Sequence, residues 1–95
     1  MALKHRVQRL VNRLGYRVER LYPAAFSAET VALIERVRPY TKTSSEAIDA
    51  FCSATRHVVR AGVPGAIVEC GVWRGGSMLA AALTLVREGN TERDL

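Results

Sequence analysis

The stretch 64–78, PGAIVECGVWRGGSM, constrains the fold of this chain more than any other. Ala66, Ile67 and Val68 form a short apolar run bounded by glycines, too brief for a helix, which predicts a strand over 66–70 buried on both faces as in a parallel sheet. Glu69 falls where that strand ends. Gly71, Gly75 and Gly76 then allow a tight turn, and a helix is expected from Ser77 with its free N–H groups facing the turn. Spacing excludes two phosphate-binding loops. A Walker loop needs lysine directly after its last glycine, and Ser77 stands there. The dinucleotide fingerprint needs glycine two residues after its first, and Trp73 stands there. The same glycines also suit a plain strand-to-helix turn that holds no ligand.

A third loop is the acidic-x-Gly-x-Gly-x-Gly turn of class I methyltransferases, which Glu69, Gly71 and Gly75 match while Trp73 replaces the middle glycine. The fuller string ECGVWRGGSM, followed by Leu79-Ala80-Ala81-Ala82-Leu83, resembles the macrocin O-methyltransferase family. The upstream segment Arg38-Pro39-Tyr40-Thr41-Lys42-Thr43-Ser44 is similar to that family's Tyr-Thr-Met-Thr segment, so the resemblance covers about residues 38–89. Lys42 stands where the family has methionine, and Ala47 where it has arginine.

The resemblance implies an α/β fold: N-terminal helices plus the first strand-turn-helix unit of a Rossmann-like class I methyltransferase, truncated. It implies S-adenosylmethionine as cofactor and a hydroxyl of a sugar or natural product as acceptor. Glu69, Gly71, Trp73, Gly75 and Ser77 would meet the cofactor in the turn, with Tyr40 and Thr41 touching it from upstream. The family's divalent metal, usually magnesium, and its acid-base residue belong to segments far downstream, so neither a metal ligand nor a catalytic residue is expected in this chain. The acid that binds the ribose hydroxyls is missing too, since Asp94 comes too early. The 95 residues are therefore expected to be an N-terminal fragment, inactive alone. Two other readings remain: a nucleotide-binding piece of a dehydrogenase, and a non-enzymatic helical protein acting through a basic helix.

That basic helix is expected over residues 3–21. Leu3, Val7, Leu10, Val11, Leu14, Val18 and Leu21 recur at steps of three and four, and Arg6, Arg9, Arg13, Arg17 and Arg20 follow the same period on another face, with a weak point at Gly15. With Lys4, residues 1–20 hold six cations against Glu19 alone, so the chain's whole net charge of +5 sits there and residues 21–95 sum to zero. Such a helix can lie on an anionic membrane, bind an acidic surface, or pack on the enzyme with its arginines in water. In the family it resembles, N-terminal helices cover the active site or join subunits, which implies packing and a homo-oligomer as a candidate state.

Three further helices are expected. One runs over 28–38, capped by Ser27, with Val31, Ile34 and Val37 inward and Pro39 ending it. The next spans 44–61, with Thr43 and Glu46 as a capping box and Ile48, Phe51, Cys52, Thr55, Val58 and Val59 on one face. The last covers 77–88, apolar nearly all round and so buried nearly all round, stopped by Gly89-Asn90. Residues 1–43 thus read as an N-terminal helical segment and 44–95 as the start of the methyltransferase domain. Cys52 and Cys70 lack metal or disulfide spacing, and His5 and His57 have no ligand partner, which favours reduced thiols and a cytoplasmic setting. No run reaches membrane-spanning length, and nucleic acid is not an expected partner because the basic character is confined to one segment.

Overall fold

In the computed structural model, which describes residues 2–95, the elements are α1 (Ala2–Arg13), α2 (Ala28–Val37), a 3-10 turn (Arg38–Tyr40), α3 (Ser45–Arg60) and α4 (Gly76–Arg87). The described residues contain no strand, so the expected α/β strand-turn-helix unit is overturned: these residues fold as helices and irregular segments. A strand exists only through its ladder. Residues 66–70 form one relevant backbone bond, from the Ile67 N–H to the Asp94 carbonyl at 3.0 Å. The neighbouring carbonyls are met by a side chain instead, because the Arg93 guanidinium donates to Gly65 and Val63, both at 2.6 Å. Val68, expected to be buried, is 78% exposed.

The core lies between α2, α3 and α4. Leu33, Ile34 and Val37 from α2 meet Ile48 and Cys52 from α3 and Ala80 from α4, with Tyr22, Phe26, Leu79 and Leu83 packed at the edge. The alanines matter because Ala80 and Ala81 are fully buried and their single methyls let α4 approach its neighbours closely. Thr55 and Thr84 are buried polar residues, and each satisfies its hydroxyl by donating to the carbonyl four residues back, Phe51 at 2.9 Å and Ala80 at 2.8 Å. Only one face of α4 is closed. Val86 is exposed and Met78, Leu79, Ala82 and Leu83 are half-buried, since no sheet covers the other side.

Caps set the helix limits. Ser27 accepts from the Thr30 N–H at 3.1 Å. At α3 the cap is Ser44, accepting from the Ala47 N–H at 3.2 Å, one residue beyond the expected Thr43. The Thr43 carbonyl accepts from Arg38 at 2.8 Å, whose guanidinium also donates to the Ser45 hydroxyl at 2.7 Å. Arg38 thereby fixes the loop joining α2 to α3.

The first helix stops at Arg13, well short of residue 21. Gly15 takes φ of 84°, and the Gly15 and Tyr16 N–H groups donate back to Asn12 and Val11. This paired closure satisfies the last carbonyls and turns the chain out of the helix, which a residue with a Cβ resists. Beyond it the chain runs irregularly to Tyr22, whose hydroxyl donates to Glu35 on α2 and is pushed to a higher pKa by that bond. No helix of the structure is long and apolar enough to cross a membrane among the described residues.

Two ion pairs tie α4 to its neighbours: Arg60 of α3 grips Glu88 through two bonds of 2.9 and 2.8 Å, and Arg87 lies 3.4 Å from Glu29 of α2. The Arg60 guanidinium holds the Glu88 carboxyl below its ordinary 4.5. A carboxylate whose folded-state pKa is depressed contributes stability in full above the unfolded value and loses it as pH falls through the folded one. Acid unfolding of the wild-type chain should therefore steepen below pH 4.5, and in Arg60→Gln that part of the slope should vanish. Capping gives a second test. Ser44→Ala should cost about 1 kcal/mol in denaturant melts, and Thr43→Ala, which leaves the Thr43 carbonyl bonded to Arg38, clearly less.

Candidate functional site

The glycine turn and the start of α4 are held by one very close contact. A Cβ built on Gly76 would lie 2.5 Å from the Thr41 Cβ and 2.7 Å from the Tyr40 carbonyl carbon and oxygen. The chain leaving α2 therefore rests directly on the backbone of α4's first turn, and only glycine leaves room for it. Gly75 precedes it as N-cap in the left-handed region, φ 81°, with no side chain to cap the helix. The first N–H groups of α4 thus face the turn without an intrahelical partner.

Each expected contact residue has a definite place. Thr41 is buried against Gly76, and its hydroxyl accepts from the Thr43 N–H at 3.0 Å. Tyr40 beside it keeps an exposed ring. Ser77 is half-buried in the first turn of α4, and Gly71 opens the loop with φ of 78°. Trp73 is 51% exposed and carries two cations on its ring, Lys42 Nζ at 4.6 Å and the Arg74 guanidinium carbon at 4.7 Å from the centroid. Such contacts orient an aromatic ring and concentrate positive charge beside it.

Glu69 is the most informative of the set. Its side chain is half-buried, and the Oε2 oxygen is shut off from solvent with no hydrogen-bond partner. Tyr40, Thr41, Gly75 and Ser77 converge around Gly76, and Trp73 joins them through Lys42. No hydrogen bond links Glu69 to that group. Sequence reasoning missed three parts of this arrangement: the packing role of Gly76, the pairing of Lys42 and Arg74 with Trp73, and the Arg38 clasp on the loop. Lys42 had left a trace, as the residue standing where the resembled family has methionine.

The family described as macrocin-O-methyltransferase (TylF) matches residues 27–95. The chain belongs to this family. The match takes in α2, α3, α4 and every residue of the candidate site, and it leaves α1 outside. No curated protein and no solved structure matches the chain. Membership in a methyltransferase family carries methyl transfer as the general activity. Among the described residues, no three His, Cys, Asp or Glu side chains stand together as a metal-ligand group.

The close contact at Gly76 is open to direct test. Gly76→Ala should destabilise the chain by about 1–3 kcal/mol through overpacking, less the gain of up to about 1 kcal/mol that alanine brings to a helix. Because Trp73 is the single tryptophan, displacement of residues 40–42 should also move its emission maximum. An unchanged melt with unchanged emission would remove the contact from the account.

Proposed function

We propose that the turn 69–77 binds S-adenosylmethionine for transfer of its methyl group to a hydroxyl of a sugar or other natural product. The observation that carries this reading is the buried, partnerless Glu69 oxygen beside a glycine turn in a methyltransferase family. An acceptor in that state is costly to leave unpaired, by about 1–3 kcal/mol, and a cationic donor relieves it. The ammonium of the cofactor's methionine end is such a donor. The carboxylate of the same end suits the free N–H groups at the start of α4 and the positive charge of Lys42 and Arg74. The residues thus offer opposite charges to the two ends of an amino acid.

When bound, S-adenosylmethionine supplies an electrophilic methyl on a sulfonium, ready for in-line displacement by an oxygen. The turn's part is to hold and orient. Alignment of donor with acceptor can contribute about 7–11 kcal/mol in favourable cases. Glu69 would fix the ammonium, Gly71 and Gly75 would admit the ligand against the backbone, and Ser77 and Thr41 would border it. Tyr40 and Trp73, both exposed beside the turn, would pack against the ligand.

Calorimetry with the folded chain tests the assignment without requiring turnover. Glu69→Gln should weaken S-adenosylmethionine about tenfold to a hundredfold, the worth of one charge-assisted hydrogen bond. The same variant should leave 5′-methylthioadenosine, which lacks the amino-acid end, unaffected. Gly71→Val should abolish binding of both, since a β-branched residue resists φ of 78° and fills the ligand's space. Equal affinity of wild type and both variants would sink the proposal.

A further inference from the structure

The part of the chain that the family does not explain is α1. None of its described residues is buried, and it contacts no other helix. Its apolar residues lie in the open: Leu3 is 75% exposed, Leu10 61% and Leu14, in the turn that closes it, 68%. With 3.6 residues per turn, Leu3, Val7, Leu10, Val11 and Leu14 occupy an arc of about 100°. Lys4 borders that arc on one side and Arg6 on the other, with Arg13 and Arg9 following Arg6. Acidic residues are absent from the helix. Glu19, the one acid before residue 29, is already paired with Arg17 at 3.2 Å.

We propose that α1 docks this chain on an anionic lipid surface, lying in the plane of the interface with its leucines in the acyl boundary and its arginines among the headgroup phosphates. Three features choose this occupant. The charge is complementary and local, since residues 1–20 carry the full +5 while the rest of the chain is neutral. The apolar arc must also be covered, and a nucleic acid duplex would engage the arginines while leaving the leucines in water. A second copy of α1 would set its four cations, Lys4, Arg6, Arg9 and Arg13, against the same four. Lipid alone among these accepts the apolar arc and the cations bordering it at once, because long basic side chains reach up from the buried face to the phosphates. The family match begins at residue 27, beyond α1, so the docking element stands apart from the proposed cofactor turn.

The test is co-sedimentation of the full chain with vesicles. Binding is expected to equal parts of phosphatidylcholine and phosphatidylglycerol, not to phosphatidylcholine alone, and to fall steeply with added salt. Replacing Arg6, Arg9 and Arg13 together by glutamine should weaken it about a hundredfold, at about fivefold per cation. Leu3→Ala, Leu10→Ala and Leu14→Ala combined should cost about tenfold or more. Neither set should change the melting of the α2, α3 and α4 core, which α1 does not touch. The proposal is overturned by absence of vesicle binding, or by binding that needs the arginines but not the leucines. Tighter capture by a DNA duplex than by the vesicles, or a leucine-dependent dimer that excludes vesicle binding, would overturn it as well.

Discussion

A missing side chain organises this molecule. Gly76 lets the backbone of Tyr40 and Thr41 sit against the first turn of α4, at distances a Cβ would forbid. Through that contact the exit from α2, the loop into α3 and the glycine turn become neighbours, although 35 residues separate Thr41 from Gly76. Arg38 makes the arrangement firm by holding the Thr43 carbonyl and the Ser45 hydroxyl, so the loop cannot drift from the helix it covers. Farther along α4, Ala80 and Ala81 repeat the logic with side chains just large enough to fill the interface. Small residues on one helix thus do the positioning, and larger ones on α2 and α3 supply the buried area.

Charge is separated as cleanly as packing. The helical core ties its own charges in pairs that bridge elements, Arg60 with Glu88 and Arg87 with Glu29, while Tyr22 meets Glu35. The glycine turn instead keeps a carboxylate oxygen unpaired on one side and two cations against an aromatic ring on the other. Those pairs satisfy their carboxylates within the chain, whereas a solvent-shielded carboxylate oxygen left without a partner is a reason to look for a ligand. The surplus cations are confined to the N-terminal segment.

Periodicity made the helices legible. The apolar steps of α2 and α3 and the cap at Ser27 follow from residues within one element, and local steric and hydrogen-bond rules suffice for them. The α3 cap shows how fine the limit is: Thr43 and Ser44 are both capping residues, and it is the Ser44 hydroxyl that accepts from the Ala47 N–H. The strand over 66–70 failed for a larger reason. Ala66-Ile67-Val68 has the composition of a buried strand, but a ladder is a property of two segments, and here Arg93 and one bond from Ile67 take its place. An all-apolar helix likewise promised burial all round, while α4 is closed on one face only because the sheet expected on the other does not form.

The amino-acid sequence by itself determined the family, the four helices, the stop signal at Gly15 in the first of them, and the concentration of positive charge in the first 20 residues. These are written in short-range order: spacing, period, and residues that permit or forbid a backbone conformation. Tertiary structure decided that Thr41 rests on Gly76, that Lys42 joins Arg74 at Trp73, and that a Glu69 oxygen is buried without a partner. Each of these depends on groups brought together from distant parts of the chain, and burial and steric contact between such groups exist only once the core has formed.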